Sequence, residues 1–211
     1  MVDLSPLSTA IEKGDREKAV QLTAEALSTG TKPQDIITHG LQSGMGAVGE
    51  KFSSGEYFLP DMLMAARAMK AALEVLKPAL EKTGMPTIGK VVIGTVEGDM
   101  HDIGKNVVAT FLRGSGFEVF DLGLNVAEKK FIDEVRDKKP DILGLSALLT
   151  TTMPVMGRII KALDSAGLRS SVKVIVGGAP VTQDYANYIG ADAYAHDGGK
   201  AIPVCKQLLG K

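Results

Sequence analysis

Apolar residues recur at spacings of three and four over roughly the first 83 positions, then give way to short continuous runs. Leu4, Leu7 and Ile11 begin one helical stripe. Ala19, Leu22, Ala26 and Leu27 continue on a second helix, which Gly30 can stop. Pro33 can open a third at its first turn, with Ile37, Leu41, Val48 and Phe52 on one face. Leu59, Met62, Leu63, Ala66, Met69, Leu73 and Leu76 give a fourth, set apart by Ser53-Ser54-Gly55-Glu56. Four short-linked amphipathic helices predict a four-helix bundle over residues 1–85.

Thr83-Gly84-Met85-Pro86-Thr87 reads as a linker. Beyond it, strand-length apolar runs alternate with helical patterns. Strands are expected at 90–94, 118–121, 142–146, 173–176 and 193–195. Helices are expected at 104–115, 127–138, 153–166, 181–189 and 199–209. Such alternation implies a parallel sheet covered on both faces. Residues 86–211 therefore predict an α/β domain with a flavodoxin- or Rossmann-like five-stranded parallel sheet, in strand order 2-1-3-4-5.

Composition narrows the function classes. Formal net charge over the 211 residues is −1, so no overall field favours nucleic acid or an anionic membrane as partner. The Lys129-Lys130 and Lys138-Lys139 pairs read as solvated surface. No stretch approaches the roughly 20 apolar residues of a membrane span. The segment Met1-Val2-Asp3-Leu4-Ser5-Pro6 lacks the charged and apolar regions of a signal peptide, so the expected location is the cytoplasm. The single cysteine, Cys205, excludes an internal disulfide and falls in a helical pattern, where packing is its expected role.

In open α/β sheets, ligands bind at the loops that leave the C-terminal strand ends. Here the loop after the first strand carries Asp99-Met100-His101-Asp102-Ile103-Gly104. His101 is one of only three histidines, and a neighbouring carboxylate fixes an imidazole's tautomer and raises its basicity. The third-strand loop, Ser146-Ala147-Leu148-Leu149-Thr150-Thr151-Thr152, is rich in hydroxyls, although Thr151 or Thr152 could simply cap a helix. Gly177-Gly178-Ala179-Pro180 and His196-Asp197-Gly198-Gly199 follow strands four and five; they either admit a ligand close to the backbone or only make tight turns. The first βα loop lacks G-x-G-x-x-G and no P-loop pattern occurs, which argues against dinucleotides and phosphate cradling. A phospho-receiver would need an acidic residue on strand three, which is missing. Zinc would need three or four protein ligands, and one well-placed histidine does not supply them. A metal held by His101 alone would bring its other ligands with a cofactor.

Asp99-Met100-His101-Asp102-Ile103-Gly104 as D-x-H-x-x-G, with Ser146-Ala147-Leu148 and Gly177-Gly178 after it, resembles the B12-binding domain of the cobalamin-dependent methionine synthase family. Gly49-Glu50-Lys51-Phe52, Tyr57-Phe58-Leu59-Pro60-Asp61-Met62 and Ala66-Arg67-Ala68-Met69-Lys70 are similar to its helical cap module. The whole chain looks most like the small corrinoid proteins of methyltransferase systems. The resemblance implies a cobalamin or related corrinoid that cycles between cob(I)alamin and methylcob(III)alamin, with His101 as the lower ligand to cobalt. Asp99 would bond the other imidazole nitrogen, and Thr152 would complete a His–Asp–hydroxyl relay. Met100, Asp102, Ile103, Gly104 and Leu148 would line the cofactor. Ser146 and Thr150 would contact its nucleotide tail, for which Gly177, Gly178 and Gly198 would leave room. Phe52, Leu59 and Met62 would cover the upper face, and the linker at 84–87 would hinge the cap aside.

On this resemblance the chain is a methyl carrier between a substrate-specific methyltransferase and a second one, with tetrahydrofolate or coenzyme M as acceptor. A reductive activase is a further implied partner. It would be a component of such a system rather than a complete enzyme, since it has no room for a substrate barrel of ~250 residues. Two alternatives use the same modules: a B12-dependent sensor or regulatory protein, and the B12-binding subunit of a mutase. The near-neutral charge and the lack of a basic helix-turn-helix pattern speak against the first. The Phe52/Leu59 pair speaks against the second.

Overall fold

A computed structural model describes residues 2–80 and 87–211. These fall into two units: one runs up to Thr87 and includes Gly114–Gly116; the other holds the rest from Ile88 onward. The expected boundary at 85/86 and most of the expected linker lie outside the described residues.

The first unit is helical. It contains α1 (Ser5–Glu12), α2 (Arg16–Ser28), α3 (Pro33–Asp35), a π-helical segment (Ile36–Gln42), α4 (Ser43–Ser53) and α5 (Leu59–Leu80). Asp15 caps α2 by accepting the Lys18 amide at 3.1 Å. The expected third helix is thus one continuous helical run, α3 through α4, with a widened middle. Gly40 and Gly44 let α1 lie close against that run. A Cβ at Gly40 would stand 2.6 Å from Leu7 Cδ2, and one at Gly44 2.5 Å from the Ser8 carbonyl. The expected apolar stripe of the fourth helix is rotated. Met62, Ala65, Met69, Ala72, Leu76 and Leu80 are buried, while Leu59 and Leu63 are exposed. Small alanines, which a search for large apolar side chains passes over, complete the buried face.

The second unit is a parallel sheet in the order β2-β1-β3-β4-β5, as the sequence predicts. Its strands are β1 (Lys90–Thr95), β2 (Glu118–Asp121), β3 (Ile142–Ser146), β4 (Lys173–Gly177) and β5 (Ala193–Tyr194). The helices are α6 (Ile103–Gly114), α7 (Glu128–Lys138), α8 (Met153–Ser165), α9 (Gln183–Ile189) and α10 (Gly198–Leu208). Successive strand residues serve opposite layers. Val92, Leu143, Val174 and Val176 join Phe131, Met156 and Ile160 on one face. Val91, Ile142 and Ile175 join Leu112, Ala201 and Cys205 on the other. Burial on both faces explains why the strands read as unbroken apolar runs. None of the described helices is long and apolar enough to cross a membrane.

Register sets where the loops emerge. Thr95 pairs with Ser146, and Ser146 with Gly177, so the loops after β1, β3 and β4 leave side by side. Gly178 follows with φ +135°, and a Cβ there would stand 1.9 Å from the Ala147 carbonyl oxygen. Gly178→Ala should therefore lower stability by more than ~2 kcal/mol, read from the urea unfolding midpoint. Burial pushes the Cys205 thiol up to about 12. The neutral thiol thus favours the fold below the unfolded thiol's ordinary pKa, and that contribution is lost as pH rises towards the folded value. The thiol should resist alkylation near neutral pH in the native protein and react at once in denaturant.

Candidate functional site

The site is built on one buried carboxylate. Asp99 is 0% exposed. Its Oδ1 accepts the His101 amide at 3.1 Å and faces the ring Nδ1 of His101 at 2.8 Å. Its Oδ2 accepts the Leu148 amide at 2.7 Å, the Leu149 amide at 3.2 Å and the Thr152 hydroxyl at 2.8 Å. Burial by itself works to raise the Asp99 pKa, but the bonds from the His101 ring, Thr152, and the Leu148 and His101 amides outweigh it. The carboxyl is held well below the usual carboxylate range.

An ionised Asp99 decides the tautomer of His101. A carboxylate only accepts, so Nδ1 carries the proton and Nε2 of the neutral ring presents a lone pair. The His101 side chain is 50% exposed, and no hydrogen bond reaches Nε2 among the described residues. The Thr95 hydroxyl donates to the His101 carbonyl at 3.0 Å and pins the main chain behind the ring. Thr152 sits at the start of α8, yet its hydroxyl does not cap that helix. It lies 2.8 Å from Asp99 Oδ2 and 2.9 Å from the Leu149 carbonyl, so its single proton serves one acceptor at a time.

Around His101 the surface is apolar. Met100 is 65% exposed, Ile103 71%, Leu148 42% and Leu149 41%. Four large apolar side chains left in water beside one imidazole mark a ligand surface. Gly104 adds room: nothing in the protein lies within 4 Å of where its Cβ would be. Asp102 faces the helix instead, accepting from Asn106 Nδ2 at 2.9 Å. Ser146 ends β3 half-buried and Thr150 is exposed in the turn after it. The remaining glycines are engaged by the chain itself. The Cβ position of Gly177 is 2.9 Å from the Ala195 carbonyl, and that of Gly198 is 2.5 Å from the Phe111 ring. In the helical unit, Phe52 is half-buried on α4, Leu59 opens α5 at 38% exposure, and Met62 is closed to solvent at 1%.

Sequence reasoning passed over several contributors. Leu149 gives an amide to Asp99 and a side chain to the apolar surface. Lys105 is buried, and its Nζ donates at 2.7 Å to each carboxylate oxygen of Asp121 and at 2.8 Å to Asn106, tying the start of α6 to the end of β2. Phe58, at 66% exposure, is the most open large apolar residue among the described residues of the helical unit. A lone cation in an apolar helical stripe was the available signal for Lys105. No pattern in the sequence separates Phe58 from a core residue.

Among the described residues no group of three or more His, Cys, Asp or Glu side chains could hold a metal ion. A metal at Nε2 of His101 must therefore arrive with its other ligands. A metal that arrives already held in a macrocycle and can accept one further nitrogen would fit the oriented lone pair, the apolar surround and the space at Gly104. Family models named B12 binding domain match residues 89–206 and residues 4–77. The chain belongs to this family of B12-binding corrinoid proteins, and its cofactor is a corrinoid. It is 45% identical over 208 residues to trimethylamine corrinoid protein 2 of Methanosarcina mazei, covering 98% of this chain and 95% of that one. A cobalamin-binding protein from Desulfitobacterium hafniense matches with a TM-score of 0.86 at 38% identity, over 99% of both chains. The methanol:cobalamin methyltransferase complex of Methanosarcina barkeri contains a chain matching with a TM-score of 0.83 at 32% identity, over 98% of this chain and 79% of that one.

The Asp99 cluster yields a stability test. Thr152→Val keeps the shape and removes the hydroxyl from a buried carboxylate. It should cost about 1–3 kcal/mol in urea unfolding, and Thr152→Ser should recover most of that loss.

Proposed function

We propose that this chain is a methyl carrier, loaded by a substrate-specific methyltransferase and unloaded by a second one that passes the methyl group to tetrahydrofolate or coenzyme M. The carrying observation is the His101 imidazole, held by Asp99 with Nε2 free in an apolar surround. The bound corrinoid supplies a cobalt centre that takes a methyl group as an electrophile and gives it up to a nucleophile.

The chain's residues supply the rest. His101 would hold the cobalt through a ring nitrogen whose donor strength is set through Asp99, and Thr152 modulates Asp99 in turn. Met100, Ile103, Leu148 and Leu149 exclude water around that nitrogen. Gly104 lets the macrocycle approach the main chain, and Ser146 and Thr150 offer hydroxyls to the nucleotide tail, past the turns at Gly177, Gly178 and Gly198. We assign the cover of the upper face to the helical unit, through Phe52 and Leu59; Met62, expected beside them, is closed to solvent and belongs to the helical core. Leu59 and its neighbours Phe58 and Leu63 offer the free apolar surface there. The cover must move for transfer. Similarity to a trimethylamine corrinoid protein supports a methylated amine as donor. A reductive activase is the third partner in this reading.

The protein reconstituted with cobalamin and chemically reduced to the cob(I)alamin state should take up a methyl group, with release of the demethylated amine, when a methylamine and its methyltransferase are supplied, followed by absorption spectroscopy. His101→Ala should stay folded and retain the corrinoid while losing nitrogen coordination to cobalt. A mutant with the wild-type spectrum would remove His101 from the ligand role. A wild type that binds no corrinoid would sink the methyl-carrier reading.

A further inference from the structure

The loop that carries His101 is gripped from a third side, by the loop after β2. Pairing between these segments continues past the end of β2. The Leu122 amide donates to the Ile93 carbonyl at 2.8 Å, the Thr95 amide to Gly123 at 3.0 Å, and the Val126 amide to Thr95 at 2.9 Å. Val96 and Val126 form a parallel bridge. Asn125 makes the last connections. Its Oδ1 accepts the Gly98 amide at 2.7 Å, and its own amide donates to the Asp99 carbonyl at 3.1 Å.

Asn125 holds the main chain immediately before Asp99 and at Asp99 itself. It does so from an exposed position and in a left-handed conformation, φ +48°. Asparagine is among the few side-chain-bearing residues that tolerate this conformation. An exposed loop residue usually contributes little to stability. A left-handed backbone kept for two hydrogen bonds to the loop that carries His101 has a different purpose. With Gly98 also at positive φ (+83°), the turn into Asp99 is closed by one bond of its own, from the Asp99 amide to the Val96 carbonyl at 3.1 Å, and the Asn125 side chain adds the hold on the Gly98 amide.

We infer that Asn125 is a positioning residue for the axial histidine: by fixing Gly98 and Asp99 it fixes the direction in which Asp99 holds the His101 ring. This rests on the reading of His101 as the cobalt ligand. The side chain touches neither the ring nor the apolar surface, so its effect passes through the main chain.

Three substitutions separate the parts of this device. Asn125→Gly keeps the left-handed backbone free of strain and removes Oδ1. Asn125→Ser, with a shorter side chain, is a second loss variant. Asn125→Asp keeps an acceptor at the same reach. Two readouts are taken on the full chain: amide hydrogen exchange at Gly98 and His101 without cofactor, and the ratio of nitrogen-coordinated to uncoordinated cobalt across a temperature series after loading with methylcobalamin. In both loss variants exchange should quicken and the coordinated ratio should fall severalfold, less than the roughly 10–100-fold that follows loss of a direct partner of a metal ligand. Asn125→Asp should stay near wild type in both. Faster exchange with an unchanged cobalt spectrum would reduce Asn125 to a structural brace and overturn the inference, as would no change in either readout. A wild-type protein without nitrogen coordination would fail the His101 reading instead, and the His101→Ala spectrum tells these cases apart.

Discussion

The bond between the Asp99 carboxylate and the His101 ring is the constraint on which the site depends. A carboxylate fully removed from water costs several kcal/mol unless its oxygens are satisfied. Five donors satisfy this one, and meeting them forces the loops after β1 and β3 into a single arrangement. That arrangement leaves the imidazole one acceptor nitrogen, turned outward among apolar side chains. Orientation and tautomer of the ring thus follow from one buried anion.

The sheet topology makes the meeting possible. Residues 148–152 lie some fifty positions beyond Asp99. They reach it because β3 pairs directly with β1, while β2 lies on the other side. The chain reverses its direction of winding between these neighbours, and the loops diverge to leave a crevice at that point. The loop after β2 arrives from the opposite side and pairs with the stretch that leads into Asp99. The histidine therefore stands where three crossovers converge.

Most of this architecture could be read from the sequence. Buried parallel strands are long apolar runs, and Lys90–Thr95, Ile142–Ser146 and Lys173–Gly177 could be placed to within a residue. The His101–Asp99–Thr152 chain could be expected from a resemblance carried by closely spaced motifs, and the structure brings these three side chains together. The contributions that escaped are main-chain or conformational. The Leu148 and Leu149 amides leave no mark in residue identity, because every residue but proline has one. The left-handed Asn125 looks like an ordinary turn residue until its partners are known. The π-helical widening at Ile36–Gln42 has no pattern of its own. On α5 a run of apolar residues on several faces hid which face is closed, so Leu59 and Leu63 could not be told from the core.

Three of the five donors to Asp99 are main-chain amides: those of His101, Leu148 and Leu149. No substitution deletes a main-chain amide except one to proline. The anchor is therefore largely indifferent to what side chains residues 148 and 149 carry, while those same side chains form part of the exposed apolar surface. Grip and outward face are encoded in different atoms of the same residues. Substitution can redraw that face to suit a different ligand without loosening the hold on His101, which gives a simple physical route to divergence among proteins that share this buried anchor.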